Sequence, residues 1–411
     1  MWVESVFSLP RRQAQSLLSV SFLILVGLLA LSFPRYLNHY VLISILLGFS
    51  CIAWHLSYDF FPDDFVQANV LRFLIMFFSH IFFILYTRPT LFGEEHPHNA
   101  LEKIEGGSWY RGYKLLFNPR GVGTRWELQN LYPTQTSFIA KKEQEKKHLG
   151  QKRSIRPYWF AIAAQISRAL LNYILLCLYY EFVDLSTHMT ILQSDFSPVQ
   201  ETIIRRLFTE TSSITSREII IRNWIALDKT IPEYLWLSSY HNIAAALFIS
   251  VGLDTDSEWP PIFGPISTAY TVRRYWGLFW HRIIYRSFSA YATVILNSVG
   301  LRRGTVTRRL FNNTLVFALS AIMHSTVSWR LGNRCAWGRS LGYWMLQPVA
   351  FVLEGYVQAM WARCRGRMNL NESEQRAVLV FERMIGYTWV HAWFCWCVPK
   401  RIYPLGHCEV R

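Results

Sequence analysis

Two histidines stand where the chemistry of an imidazole is hard to waste. His324 closes the segment Phe317-Ala-Leu-Ser-Ala-Ile-Met-His324, inside the apolar run Leu310 to Trp329. On a helix, residues i and i+4 share a face, so Ser320 and His324 point the same way. An ionisable group inside a membrane-length apolar run is a functional-site hypothesis by default. Imidazole ordinarily titrates near pH 6.5, which suits a general base working near neutrality. A structural histidine bonded between helices accounts for the same residue, and the residues alone leave the two readings level. His281 lies in Thr271-Val-Arg-Arg-Tyr-Trp-Gly-Leu-Phe-Trp-His-Arg282. Read as one helix, this places Arg273, Gly277 and His281 on one face, with Trp276 and Trp280 as a neighbouring aromatic edge. Arg282 and Arg286 extend a basic stripe. A membrane-surface helix explains the arginines and tryptophans. It does not explain His281, or a second histidine in the span that follows.

The other polar signals are weaker. Of 12 histidines, His96, His98, His148 and His407 fall in polar loops. The seven cysteines (51, 177, 335, 364, 395, 397 and 408) are dispersed and form no pair of CxxC knuckles, so no metal site is expected. Cys395 and Cys397 diverge on a helix, and buried free thiols are the expected state. The run Lys141 to Lys147 reads as a solvated helix face.

The elements that position these residues follow from composition. Apolar residues make up 52% of 411 and charged residues 17%, against about 25% charged in soluble proteins. Disorder, collagen and a small disulfide scaffold are excluded. The apolar residues cluster in runs: Ser16–Phe33, Tyr40–Trp54, Phe73–Tyr86, Tyr158–Val183, Tyr234–Leu253, Leu310–Trp329, Leu341–Trp361 and Ala377–Val398. The first is a retained span and not a signal peptide, because it lacks a small-residue cleavage site and another apolar run follows at once. The fold expected is all-α and polytopic, with about eight transmembrane helices. Asp254–Arg309, aromatic and basic together, is expected to be interfacial or re-entrant. Asp59-Phe-Phe-Pro-Asp-Asp64 reads as an acidic turn, and Asp184–Pro232 as a loop with amphipathic helices. Three segments follow: 1–87 with the N-terminal spans, 88–157 as a polar loop, and 158–411 as the core.

The net charge of +15 has a pattern. Residues 88–157 hold 13 basic and 7 acidic side chains, residues 254–309 hold 8 and 3, and Arg363, Arg365 and Arg367 follow the seventh run. Eight spans put these three stretches on one side, which the positive-inside rule makes cytosolic. Both termini are then lumenal, which Arg11 and Arg12 oppose. Such charge suits an anionic membrane face or a phosphate-bearing ligand. Nucleic acid fits poorly with so many apolar runs.

At this point the motifs carry a resemblance. Arg-Arg-Tyr-Trp-Gly-Leu-Phe-Trp-His281 resembles the Arg-x-Phe-Trp-Gly-x-x-Trp-His motif of wax-synthase-like proteins in the membrane-bound O-acyltransferase superfamily. Phe317 to His324 looks like their Phe-x-x-Ser-Gly-x-x-His, with Ala321 where glycine is usual. Asn118-Pro-Arg-Gly-Val-Gly-Thr-Arg-Trp126, Trp259-Pro-Pro-Ile-Phe-Gly264, Leu346-Gln-Pro348 with Glu354, and Arg383-Met-Ile-Gly-Tyr-Thr-Trp389 resemble further elements of the fungal members, in order, across roughly 110–395. Within the family the chain is most similar to fungal acetyltransferases of terpenoid and meroterpenoid biosynthesis.

The resemblance implies acetyl transfer from acetyl-CoA, as co-substrate, to a terpenoid hydroxyl, in a multi-pass protein of the endoplasmic reticulum. It implies His324 as catalytic base and His281 as the second polar residue of the site, orienting reactants or donating to the oxyanion. Trp276, Trp280 and Ser320 would support them. Arg273 and Arg274 could attract CoA phosphates, though lipid headgroups attract the same charges. The partners expected are acetyl-CoA, an apolar alcohol and the bilayer. A long-chain wax or sterol ester synthase differs only in chamber size. A transporter would favour paired intramembrane charges, whereas Arg168, Glu354 and Arg383 stand alone.

Overall fold

A computed structural model describes residues 11–33, 39–56, 64–93, 107–124, 126–129, 158–209, 213–333, 337–368 and 370–407. The charge run at 141–147, His96, His98, His148, Cys335, Cys408 and most of the acidic turn lie outside these residues. Every regular element among them is helical. In chain order the longer helices are α1 (Arg11–Ser32), α2 (His39–Leu56), α3 (Asp64–Phe82), α4 (Ser108–Leu116), α5 (Tyr158–Phe182), α6 (Ser216–Asp228), α7 (Ile231–Ser250), α8 (Tyr285–Ser298), α9 (Val306–Arg330), α10 (Trp337–Arg365) and α11 (Glu372–Cys397). Each of the eight apolar runs falls on one of them. Three stretches among the described residues are long and apolar enough to cross a membrane: Gln67–Phe92, Tyr158–His188 and Val306–Arg330. The apolar parts of α1 and α2 are shorter.

The chain divides into two units. One comprises residues 1–128 and 283–337, the other 129–282 and 338–411. In the first, α1, α3 and α4 build a core from Leu23, Leu31, Phe77, Ile81, Phe83 and Leu115. Helix α3 continues through a π turn, Phe83–Thr87, into the short helix Arg88–Phe92. His80 on α3 is buried and its Nε2–H donates to the Leu115 carbonyl at 2.8 Å, a structural partnership between helices. The Asn118 loop folds on itself. Its side-chain amide exchanges two 2.7 Å bonds with the backbone of Val122. Gly121 sits at φ +68°, and a Cβ there would lie 2.6 Å from the Trp126 ring, so both conformation and space select glycine. Trp126 is thereby buried beneath Arg88, whose guanidinium lies 5.6 Å from the ring centroid. Helices α8 and α9 form a hairpin tied by Arg308, which donates to Asn297 Oδ1 at 2.6 Å and to the Leu301 carbonyl.

In the second unit α5 packs along α7. Gln165 of α5 donates to Asp256 at 2.9 Å, and the Gly252 N–H donates to the Tyr158 hydroxyl at 3.2 Å. Leu170, Leu171, Tyr173 and Ile174 on the other side of α5 are exposed, as lipid-facing positions are. The stretch 184–232 carries the expected short helices, including Ile203–Thr209 and α6. A buried charge cluster holds it: Glu218 accepts from both Arg206 and Arg222, the latter at 3.1 Å. Arg222 reaches on to the Gln200 carbonyl and to that of Cys395 on α11. The described cysteines are free thiols, but only Cys397 is buried; Cys51, Cys177 and Cys364 are exposed. These three lie on apolar helices whose outer faces are open, so an apolar sequence neighbourhood did not imply burial within the chain.

Two tests follow from the ion pairs of this stretch. Glu218→Ala leaves two buried arginines uncompensated and should cost about 3–5 kcal/mol of stability, read by denaturation in detergent micelles. Arg217 chelates Asp195 at 2.6 and 2.7 Å, and this hydrogen-bonded guanidinium lowers the Asp195 carboxyl below 3.8. A carboxyl lowered on folding stabilises the fold above its unfolded value and ceases to do so as pH falls through its folded value. Asp195→Asn should therefore lower the melting temperature at pH 7, and the gap from wild type should close in acid below 3.8.

Candidate active site

The segment leading to His281 is built on one carboxylate. Thr271 caps a single helical turn, Val272–Arg274, its hydroxyl accepting the Arg274 N–H at 3.0 Å. The other two free amides of that turn, Val272 N–H and Arg273 N–H, both donate to Glu354 of α10, the second at 3.1 Å. Trp389 of α11 donates its indole N–H to the same carboxylate at 2.9 Å. Helix starts leave such amides without partners, and a buried carboxylate is tolerated when hydrogen bonds replace its water. Three donors from two distant segments meet those requirements at one residue that is itself buried.

The single continuous helix expected over 273–281 does not form. After Arg274 the chain enters a π turn, Tyr275–Phe279, closed by the Trp280 N–H on the Tyr275 carbonyl at 2.7 Å. Trp280 is then extended, at φ −66° and ψ 149°. The wider turn and the extended residue take His281 off the face that carries Arg273 and Gly277. The Trp259-Pro-Pro-Ile-Phe-Gly264 element explains how the turn is held. The Gly264 N–H donates to the Phe279 carbonyl at 2.8 Å, and a Cβ at 264 would lie 2.0 Å from the Leu278 carbonyl oxygen. Only glycine lets these backbones approach.

Around this turn the aromatics interlock. Trp276 and Trp280 remain neighbours, with centroids 5.8 Å apart. Trp280 stacks on Tyr275 at 5.4 Å. The indoles of Trp276 and Trp393 both donate to Gln347 Oε1, at 3.1 and 3.2 Å, and Gln347 is fully buried. His281 is half-buried, with Phe263 edge-on at 5.7 Å and Trp280 at 5.5 Å. Arg273 is exposed, and one Nη donates to the Phe351 carbonyl at 2.9 Å. Arg274 donates to the Thr268 carbonyl at 2.9 Å and lies 4.4 Å over the Tyr270 ring. A guanidinium has five donors, so each arginine has capacity left for an anion.

His324 and Ser320 belong to the other unit. They occupy consecutive turns of the uninterrupted helix α9, on one face, as the spacing requires. Ser320 is buried and His324 half-buried. Ala321, in place of the usual glycine, is fully buried, and Met323 packs on Phe288 and Ala292 of α8. The helix is therefore clamped on the flank beside the imidazole.

Residues 259–353 match the sequence model of the membrane bound O-acyl transferase family. The chain is 28% identical over 304 residues to the acetyltransferase nanB of Aspergillus nanangensis, covering 73% of this chain and 69% of that one. It is 24% identical over 308 residues to the acetyltransferase TRI7 of Fusarium sporotrichioides, covering 72% and 63%. With the acetyltransferase ataH of Aspergillus terreus it shares 29% identity over 171 residues, 41% and 54% of the two chains. The chain is thus similar, over this segment, to the membrane-bound O-acyltransferase family, and over about 300 residues to fungal acetyltransferases. Its matches span about two thirds of the first two relatives and about half of the third.

The segment matched by the family model contains the Trp-Pro-Pro element, His281, Ser320, His324 and Gln347. Sequence reasoning placed Glu354 among the family motifs but assigned it no task, and it gave none to Gln347. The available signal was an amide and an acidic side chain, Gln347 and Glu354, at i and i+7 in an apolar helix, where polar groups need partners. Glu354→Gln should lower thermal stability by about 1–3 kcal/mol, since an amide N–H then faces backbone donors. Trp389→Phe should cost less in that background than alone; a double-mutant cycle of melting temperatures checks the coupling.

Proposed function

We propose that this protein transfers an acetyl group from acetyl-CoA to a hydroxyl of a terpenoid or meroterpenoid intermediate. The reading is carried by the two histidine motifs lying within the family-matched segment of a chain whose relatives are named acetyltransferases. We assign the chain to the endoplasmic reticulum membrane, with about eight crossings and with residues 158–411 as the principal acyltransferase portion.

His324 is the general base in this mechanism. It removes the alcohol proton as that oxygen attacks the thioester carbonyl, an effect worth about 10²–10⁴-fold. The resulting oxyanion accepts a hydrogen bond from His281. The tetrahedral species collapses, the C–S bond breaks, and the imidazolium returns its proton to the departing CoA sulfur. No serine or cysteine nucleophile is needed, and Ser320 orients the base along its helix face. Trp276 and Trp280 fix the loop that carries His281 and exclude water, which limits thioester hydrolysis. Arg273 and Arg274 direct their remaining donors to CoA phosphates.

Expression in a host lacking the pathway, fed with terpenoid alcohols, should yield products heavier by one acetyl group. His324→Ala should abolish this in microsomes while the protein stays inserted; full activity would overturn the mechanism. His281→Ala should lower turnover by at least about tenfold, and by about 10²–10³-fold if it is a full oxyanion donor; an unchanged turnover would return it to a structural role. Arg273→Ala should raise KM for acetyl-CoA and leave that for the alcohol unchanged. In competition, acetyl-CoA should be consumed ahead of palmitoyl-CoA; the reverse order assigns the long-chain ester synthase reading.

A further inference from the structure

The motif Arg383-Met-Ile-Gly-Tyr-Thr-Trp389 on α11 has one residue without a structural task. Three of its members hold the segment that leads to the π turn. A Cβ on Gly386 would lie 2.2 Å from the Tyr270 carbonyl oxygen, so the two backbones meet there. The Tyr387 hydroxyl donates to the Ser267 carbonyl at 2.8 Å, and Trp389 donates to Glu354 at 2.9 Å. Arg383, one turn before Tyr387, is exposed and has no hydrogen bond or ion pair among the described residues. Its guanidinium lies 5.7 Å from the centre of the Tyr270 ring, the ring that Arg274 covers at 4.4 Å. The arginine that stands alone in the sequence thus shares an aromatic partner with Arg274. We propose that Arg274 and Arg383 together seat a phosphate of the CoA co-substrate. This rests on the acetyl-transfer reading above and adds Arg383 to it.

Charge, donor geometry and position point to that ligand. Among the described residues no carboxylate pairs with Arg273, Arg274 or Arg383. Glu382 is engaged by Arg365 and Trp361, and Glu354 by two backbone amides and an indole. Like charges gathered without a counter-ion repel, and a bound anion removes that cost. An arginine inside an apolar run is expensive and marks function by default. The donors suit phosphate. Arg274 commits Nε to the Thr268 carbonyl, which leaves both of its Nη groups and the whole fork of Arg383. Two planar forks match the oxygens of one phosphate better than two ammonium groups would. Both arginines are also placed in advance. Arg274 ends the turn that Thr271 and Glu354 fix, and α11 is pinned to the 267–270 backbone. Groups held beforehand lose little freedom on binding. A lipid headgroup offers the same phosphate chemistry. It has no need of a seat at the start of the π turn that leads to His281, whereas a thioester delivered to His281 does. All of these residues lie within one unit of the chain.

The full chain in nanodiscs of phosphatidylcholine tests this. Arg383→Ala should raise KM for acetyl-CoA and Kd for free CoA roughly tenfold, the lower end for a lost hydrogen bond to a charged group, and leave KM for the alcohol unchanged. Arg383→Lys, which keeps the charge and loses the fork, should recover part of that loss. S-acetylpantetheine carries the thioester without the phosphates, so wild type and Arg383→Ala should use it equally. A merely structural role would slow both donors alike, and that result overturns the proposal. Adding Arg274→Ala to Arg383→Ala should raise the CoA Kd by less than the product of the single effects, because one phosphate is shared; a full product overturns the shared seat. Melting temperatures establish that each variant is folded. An Arg383→Ala effect that appears only when phosphatidylserine is added, with CoA Kd unchanged in phosphatidylcholine, assigns the pair to lipid headgroups and overturns the proposal. If the wild type transfers no acetyl group, the functional reading fails, while CoA binding and its dependence on Arg383 still decide whether the seat exists.

Discussion

The carboxylate of Glu354 is the constraint on which the His281 segment depends. It accepts hydrogen bonds from two consecutive backbone amides and from an indole. A three-residue helical turn has too few internal bonds to persist alone, because nucleation fixes several dihedrals for one bond. Glu354 and Thr271 supply the missing acceptors from outside. They make the turn a fixed start for the π turn that follows, and so fix the direction in which Trp280 and His281 leave it. Removing the charge would not delete one contact; it would leave backbone donors in an apolar setting without a partner.

The same logic recurs at other polar groups in this apolar protein. Gln347 serves two tryptophans, His80 serves a carbonyl of another helix, and Glu218 serves two arginines. In lipid, helices gain little from the hydrophobic effect against one another. Packing and satisfied polar groups must then specify which neighbours meet. The polar residues among these helices are cross-links between segments as much as candidates for chemistry. His80 illustrates the distinction. It is more buried than His281 or His324, yet its bond to the Leu115 carbonyl gives it a structural task.

Much of the site could be read from the chain. The spacing of Ser320 and His324 required a shared helical face, and α9 provides it without interruption. The aromatic and basic stretch 254–309 was expected to be no simple span, and it is built of short turns before α8. The helical face through Arg273, Gly277 and His281 was legible as a pattern and is absent as a structure. A periodic pattern assumes 3.6 residues per turn throughout, and the π turn at 275–279 changes that count.

The sequence by itself determined where the long apolar helices form, where charge accumulates, and which short motifs contain the two histidines. Those properties depend on a residue and its near neighbours: apolar run length, turn-forming glycine and proline, and residue identity within a motif. Tertiary structure decided the rest. It made Glu354 an acceptor for amides 82 and 81 residues away, made Gly264 a point of backbone contact, and turned His281 off its helical face. Such outcomes depend on which distant segments can satisfy one another's donors and fill one another's space. No local periodicity encodes that choice.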